Sequence, residues 1–569
     1  MIVKAAVENT PQKVAESVTA APPRARAASG PLMTWLFSST ALSQSLGLYL
    51  PATVAFRLIN FGRILLLTWW MSRQQFGLLN MILLALNVLT PLCSLGLNEA
   101  VTRYVPQYEA RGTLRHFLQQ SIALLLIAMT VSIAVLWSFS ERFGVFFYAQ
   151  VFTDAKWLAE FRVDAPELTR LSAVVIGLLI IYFYLLAVMK GLRMFTALSI
   201  MEMFHGVIFL AASVIAIATR HLSALTLTGV YGISLLIPIT VFGAGLLVAV
   251  SHRTVEEQPT HEYQLVKKLL RFSIWTTLAG ITWQILVYYP TWFLNKVNGH
   301  EAVAVFSAVR QIGQFILVGA MSVVTVVMTT VTKTWETRGR EAAQRQLSLA
   351  FRGTGLGLFC FCAILAFSKD WIIRMFQPAY APGAAVLPLH LLFFLVGAYL
   401  AFLPIHFHLT EKTRHAFWPW AIGVAANMLY AFWLAGPGLA TVKAMPLWQS
   451  IAPYTSSWFV AGFSDRMGLG SAAWCGVFAI ATSLVLCITL IQAECCKLDR
   501  GTFIIIAAAG LLGLNAYLLA AGSVLLLLLV TQTSLVFSPE ERRRVLGYLV
   551  GAFGHVPSVR RLTGWKNGD

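Results

Sequence analysis

Fourteen apolar runs, each close to the length needed to cross a bilayer, follow one another between residues 47 and 537. They fall at about 47–70, 77–97, 117–139, 168–189, 195–218, 225–250, 272–294, 301–329, 353–368, 386–409, 416–435, 469–492, 502–516 and 518–537. A hydrocarbon layer of about 30 Å takes about 20 helical residues, and a helix satisfies its own backbone hydrogen bonds there. The runs do not alternate as barrel strands do. The pattern predicts an all-α polytopic membrane protein with about 14 transmembrane helices. Thr502–Phe537 is too long for one untilted helix, so it divides near Gly513–Asn515, where turn-forming residues sit.

Composition agrees with this class. Hydrophobic residues make up 58% of the 569 positions and charged residues only 12%, with a mean hydropathy of +0.73. A soluble domain carries about a quarter charged residues. Lys and Arg fall unevenly about the spans: 28 of the 42 lie on one side, 11 on the other, and three within spans. The richer side is cytoplasmic by the positive-inside rule, which places both termini in the cytoplasm. This asymmetry also accounts for the net charge of +18. The basic residues are spread over many short loops, so no patch exists to read nucleic acid.

The domain reading follows. Residues 1–45, rich in Ala, Pro and polar residues, form a disordered cytoplasmic tail without the layout of a cleaved signal peptide. Residues 46–250 hold spans 1–6, 251–271 a cytoplasmic linker, 272–492 spans 7–12, 493–537 spans 13–14, and 538–569 a basic cytoplasmic tail. The seven cysteines, Cys93, Cys360, Cys362, Cys475, Cys487, Cys495 and Cys496, lie mostly within spans and show neither zinc nor redox spacing. They read as packing residues. No metal site and no cofactor is expected; His406 and His408, two apart, face different sides of a helix.

A motif occurs twice: Tyr108-Glu109-Ala110-Arg111-Gly112 after span 2 and Trp335-Glu336-Thr337-Arg338-Gly339 after span 8. Each copy precedes an amphipathic stretch, Thr113–Gln120 or Arg340–Leu349, that leads into the next span. The spacing is a period of 227 residues. Six spans separate the copies, so both halves enter the membrane in the same orientation and the repeat is parallel, not inverted.

The runs Phe76-Gly77-Leu78-Leu79 and Ser94-Leu95-Gly96-Leu97-Asn98-Glu99-Ala100-Val101-Thr102-Arg103-Tyr104 resemble the second span and following loop of polysaccharide-transporter flippases. These belong to the multidrug, oligosaccharidyl-lipid and polysaccharide exporter superfamily. Val305-Phe306-Ser307-Ala308 and Gly468-Leu469-Gly470-Ser471-Ala472-Ala473 open spans 8 and 12 with a similar layout. The resemblance implies two parallel-repeat six-helix lobes around a central cavity, plus two C-terminal helices. It also implies alternating access that moves lipid-linked oligosaccharide across the inner membrane. The expected partners are a polyprenyl-pyrophosphate-linked sugar and membrane lipid, and beyond them polysaccharide polymerase and glycosyltransferases.

Ionisable and polar side chains inside a bilayer are costly and mark function. Span 1 carries Arg57, Asn60 and Arg63, with Arg57 about ten residues in, or ~15 Å at 1.5 Å per residue. Asn60 is placed to bridge toward either arginine. Span 8 carries Ser307, Arg310 and Gln314 on one face, and span 7 carries Gly280, Gln284 and Tyr288 at steps of four. A pyrophosphate stays negative throughout its crossing, and guanidinium stays protonated and binds phosphate oxygens through paired hydrogen bonds. Arg57, Asn60, Arg63, Gln284, Ser307, Arg310 and Gln314 are therefore the candidate cavity residues. Glu202 and His205, three apart in span 5, are candidates for a coupling site or a structural ion pair.

A multidrug exporter of the same superfamily is the alternative; it would bind amphipathic cations in an acidic cavity, whereas only Glu202 is a clear intramembrane acid. A membrane glycosyltransferase or polymerase needs paired carboxylates, and the longest outer loops, 140–167 and 436–468, offer Glu141, Asp154, Glu160, Asp164, Glu167 and Asp465 without an acid/base arrangement. No phosphate-binding Gly-rich loop of the Gly-Lys-Ser/Thr type is present. The reading is a transporter, not an enzyme.

Overall fold

The computed structural model describes residues 35–38, 42–110, 112–149, 155–251, 265–410, 412–435, 468–494 and 498–543. Most of the two expected tails, the centre of the 251–271 linker, residues 150–154 of the first long outer loop, nearly all of the second, Arg111, Cys495 and Cys496 lie outside these residues.

Seventeen α-helices and no strand occur among the described residues. The first half contains α1 (Leu42–Trp70), α2 (Arg73–Cys93), α3 (Leu97–Ala110), α4 (Leu114–Ser138), α5 (Ser140–Tyr148), α6 (Ala155–Gly191), α7 (Phe195–Ala218) and α8 (Ala224–Ser251). The second half contains α9 (Leu265–Arg338), α10 (Arg340–Phe367), α11 (Lys369–Arg374), α12 (Gly383–Phe402), α13 (Ile405–Leu409), α14 (Phe417–Ala435) and α15 (Leu469–Glu494). Then come α16 (Arg500–Ala508), which tightens to a 3-10 turn over Ala509–Gly513, and α17 (Ala516–Gln532).

All fourteen expected crossings have a helix. Among the described residues, ten stretches are long and apolar enough to span a membrane. One of them, Ser273–Val324, holds two crossings, because α9 breaks at Gly299, where φ is 78°. Phe417–Ala435 supplies another, and α16 and α17 are shorter apolar helices. The expected division between them falls at Leu514–Asn515: Asn515 leaves the helical region and its side chain accepts from the Leu518 N–H, capping α17. The protein is a multi-pass membrane protein.

The duplication appears in the backbone. A shift of 227 residues carries the start of α2, Arg73, onto His300, where the second arm of α9 begins after Gly299. It also carries Gly112 onto Gly339. Both motif glycines are left-handed, with φ 75° and 83°, and each opens a new helix, α4 or α10. L side chains pay for that conformation, which explains why the motif ends on glycine in both copies. The amphipathic stretches after the motif are the first turns of α4 and α10.

Within the first lobe α1 packs on α7, and α6 on α8 and α3; within the second, α9 packs on α12 and α14, and α14 on α15. Side-chain burial separates centre from rim. α12 is enclosed over nearly its whole length, whereas α4 turns Ile127, Val131 and Val135 outward, as lipid-facing helices do without a solvent penalty. The lobes meet mainly along α2 and α9. There Gly77 lies so close to the second lobe that an added Cβ would stand 1.8 Å from the His300 carbonyl oxygen.

α16 and α17 pack on α10 and α12 of the second lobe, where the Tyr399 hydroxyl donates to the Ile505 carbonyl at 3.3 Å, and Arg352 ties their ends together. Arg352 of α10 donates to the Val536 carbonyl and to Glu541 at 2.8 Å, and stands 3.5 Å from Asp499, the cap of α16. Burial acts against the charged Asp499 carboxylate, but hydrogen bonds from Ser348 and Thr502 and the Arg352 charge outweigh it and hold its pKa below the ordinary value.

Candidate functional site between the lobes

A cavity of about 1770 Å³ lies between the lobes and opens at the end where α3, α6, α9 and α14 start or finish. Its first-lobe wall comes from the last turns of α2 (Asn87, Thr90, Ser94), from α3 (Asn98, Glu99, Arg103), from the end of α6 (Lys190), and from Glu202 of α7 and Tyr231 of α8. The second-lobe wall comes from the first arm of α9 (Lys267, Trp275, Thr277, Gly280, Trp283, Gln284) and from Phe417 and Trp420 of α14. Three cations, Arg103, Lys190 and Lys267, thus face the chamber alongside two carboxylates, Glu99 and Glu202. The charges of Lys190 and Arg57 both reach Glu202.

The opposite end is sealed by two contacts related by the repeat. Lys296 of α9 sends its ammonium to the carbonyl oxygens of Val145 (3.1 Å) and Ala149 (2.6 Å) at the end of α5, and Asn295 bonds Tyr148 O at 3.3 Å. In the equivalent place the Trp69 indole N–H of α1 donates to Met375 O, 2.8 Å away, just past α11. A shift of 227 residues carries Trp69 onto Lys296 and Tyr148 onto Met375. Positive groups suit helix C-termini, where the last carbonyls lack partners. Arg73–Glu301 at 2.7 Å and the Phe76–Tyr380 and Phe61–Phe376 ring pairs complete the seal.

Of the candidates taken from the sequence, Gln284 and Glu202 line the cavity. Arg57, Asn60, Arg63, Ser307, Arg310 and Gln314 are not among its described lining residues, and Arg310 lies at a separate small pocket with Phe306, His390 and Phe394. Asn60 does not bridge the arginines; its amide donates to the Phe56 carbonyl of its own helix at 3.1 Å, a bond that the backbone geometry offers any helical Asn. Arg63 is buried with its guanidinium 3.8 Å from the Phe209 ring, and its charge reaches Tyr231, which does face the cavity. Arg310 is buried, donates to Thr291 Oγ1 at 2.8 Å and stacks 4.4 Å from Tyr288. Arg63 therefore stands one tyrosine away from the space between the lobes, whereas Tyr288 beside Arg310 is buried and is not among the described lining residues. Arg63 Nε and Nη1, Arg310 Nε and Ser307 Oγ have no hydrogen-bond partner among the described residues.

Glu202 and His205 do not form a pair. Glu202 faces the chamber, whereas His205 is buried, with Nδ1 3.1 Å from Ser234 O of α8 and rings of Tyr182, Tyr231 and Phe209 around it. Residues three apart share a broad helix face, but that face spans the boundary between wall and lobe interior.

Arg103, Lys190 and Lys267 were legible only as topological charge, because a basic residue at a helix end reads the same whether it meets lipid headgroups or a chamber. Trp275, Trp283 and Trp420 were hidden among apolar residues. The one signal that could have separated them is their arrival in two facing segments, 275–284 and 417–420, at the same end of the bundle.

This architecture, two like-oriented helical halves around a chamber open at one end, defines a class of polytopic transporters. The chain belongs to the polysaccharide biosynthesis protein family, whose model matches residues 42–335. No functionally curated protein matches it. Among solved structures it is similar to the lipid II flippase MurJ in an inward closed conformation (12% identity, TM-score 0.58, 90% of this chain and 99% of that one). It is likewise similar to an inward-facing multidrug resistance MATE family transporter of the MOP superfamily (12%, 0.57, 80% and 95%). A third is a MOP superfamily transporter from Pyrococcus furiosus (12%, 0.56, 84% and 98%). At this identity the likeness establishes the fold.

Proposed function

We propose that the protein is a non-enzymatic flippase that carries a polyprenyl-diphosphate-linked oligosaccharide across the cell inner membrane by alternating access. The observation that carries this reading is the chamber between the lobes, open at one end, sealed at the other, and lined by Arg103, Lys190 and Lys267. Family membership supports the connection to polysaccharide synthesis, and in this reading glycosyltransferases and a polymerase are the functional partners. The open end is the one with the larger share of Lys and Arg, so it faces the cytoplasm together with both termini.

In this state the diphosphate enters from the cytoplasmic side and meets the flexible cations of the first-lobe wall, while its lipid tail remains in the bilayer. Arg57, Arg63 and Arg310 act as fixed positive charges behind the walls. Arg57 offsets Glu202, and Arg63 and Arg310 favour an anion at the level of Tyr231 and Tyr288. Buried guanidinium groups with unused donors cost energy in the resting protein, and an anion arriving nearby offsets that cost.

The test is transport of a fluorescent polyprenyl-diphosphate sugar in proteoliposomes. Each charge-assisted hydrogen bond to phosphate is worth about 1.5–3 kcal/mol, or about tenfold or more in affinity. Arg103→Met combined with Lys190→Met should abolish measurable transport while leaving insertion intact; full activity in that variant rejects the reading.

One observation favours a multidrug exporter instead: Glu99 and Glu202 both face the chamber. Glu202→Gln decides between them. Export of lipophilic cations that is lost in this variant supports the exporter, and lipid-linked sugar transport that persists supports the flippase.

A further inference from the structure

The two walls of the chamber differ in chemistry. The first-lobe wall carries four charged side chains, Glu99, Arg103, Lys190 and Glu202, beside Tyr104, Phe183 and Tyr231, whereas the second-lobe wall carries one, Lys267, beside four aromatic rings in two pairs. Trp283 and Trp420 are edge-to-face, centroids 4.9 Å apart at 69°, and Trp275 and Phe417 pair at 6.1 Å and 65°. The rings come from α9 and α14, which pack together, so they form one continuous surface. Trp283 is backed by α12 at Gly397, where the absence of a side chain lets the indole lie against the helix; an added Cβ would stand 3.3 Å from it. Thr277 and Gln284 add hydrogen-bonding groups to the same wall.

We propose that this aromatic wall is the saccharide subsite: sugar rings stack on Trp283 and Trp420, and on Trp275 and Phe417, while the diphosphate is held across the chamber by Arg103 and Lys190. The inference deepens the flippase reading and rests on it. A pyranose ring presents polarised C–H groups on its faces and hydroxyls around its edge. The C–H faces match the negative π-face of an indole, and the edge hydroxyls match amides and hydroxyls such as Gln284 and Thr277. The occupant that suits an aromatic surface in a water-accessible chamber facing charges is one with both apolar faces and polar edges. A polyprenyl chain has only the first. The chamber, about 1770 Å³, exceeds the roughly 300–1,000 Å³ of a small-molecule pocket, so it accommodates several sugars beside the diphosphate. Stacking also tolerates different sugars, because each has a C–H face, so this wall reads the presence of a glycan more than its identity.

The experiment measures binding of two probes to the full-length protein in nanodiscs: a short polyprenyl diphosphate, and the same lipid carrying a chitobiose disaccharide on the diphosphate. The wild type should prefer the sugar-bearing probe. Trp283→Ala and Trp420→Ala should each weaken that probe by about tenfold and leave the bare lipid unchanged. Trp283→Phe and Trp420→Phe, which keep a ring and the packing, should retain most of the preference. Lys190→Met should weaken both probes alike. The proposal is overturned if the alanine variants weaken both probes equally, which would assign the wall to the lipid chain or to the fold. It is equally overturned if they leave the sugar preference intact, or if the wild type binds both probes with equal affinity. A wild type that binds neither probe defeats the flippase reading itself and the subsite with it.

Discussion

The two lobes share a backbone plan and differ at the side chains that meet the chamber and seal its far end. Most of the charge lies on the first-lobe wall and the paired aromatic rings on the second. At the sealed end the second lobe reaches into the first with the Lys296 ammonium, and the first reaches into the second with the Trp69 indole, at positions related by the repeat. The lesson is that the repeat preserves what the backbone requires, a left-handed glycine after the motif and a donor at the end of a short helix. It leaves the donor's chemistry free to diverge.

Removing a buried charge breaks this comparison most severely. Arg310→Met should strongly impair export, because the second lobe loses its fixed charge near the chamber, yet it should leave thermal stability unchanged or raised. Replacing a buried ion by an apolar side chain of similar volume is often neutral or stabilising by about 1–4 kcal/mol. Transport assays beside thermal unfolding in detergent read both quantities, and unimpaired export removes Arg310 from the mechanism.

The latches come next. Lys296→Met loses two charge-assisted bonds, whereas Trp69→Phe loses one neutral bond worth about 0.5–1.5 kcal/mol. Hydrogen exchange should quicken in the sealed-end segments 73–80 and 296–304 of both variants, more in Lys296→Met, and slow at the open end around 94–104 as the population shifts. Equal effects of the two variants would mean that charge adds nothing to the seal.

A smaller effect tests the repeat itself. Gly112→Ala and Gly339→Ala each place a Cβ at positive φ, at a cost of about 1–2 kcal/mol, and nothing lies within 4 Å of either added atom. Their thermal destabilisation should therefore be equal, and a marked inequality would show that the two turns carry different loads.

The smallest effect concerns α16 and α17, which the first lobe has no counterpart for. The Asp499 pKa is lower in the folded state than in the unfolded chain, so the carboxylate stabilises docking above its unfolded value, and that contribution fades as pH falls through the folded one. Asp499→Asn should lower the exchange protection of residues 500–513 at neutral pH and match the wild type in acid, where the carboxylate is already protonated.

The helices were legible because a bilayer demands length and uniform apolarity, and the division at Leu514–Asn515 because Asn515 is both a turn former and a cap. The repeat was legible from five residues because its glycine is dictated by backbone geometry. The walls of the chamber were not. Arg57, Arg63 and Arg310 drew attention as charges inside spans, yet side chains at that depth point into a lobe as readily as into the space between lobes, and helical periodicity does not say which neighbour covers which face. Arg103 and Lys190 sit at helix ends, where charge is ordinary, and only the approach of two lobes turns such ends into a lining.

At Gly77 the lobes touch backbone to backbone, with no side chain on α2 between that helix and the His300 carbonyl. At this one point the seam has no side chain to repack when it parts, so the halves can separate and rejoin there along one plane. A single methyl group placed there would act as a doorstop, holding the far gate ajar and turning a carrier that admits one cargo at a time into a leak.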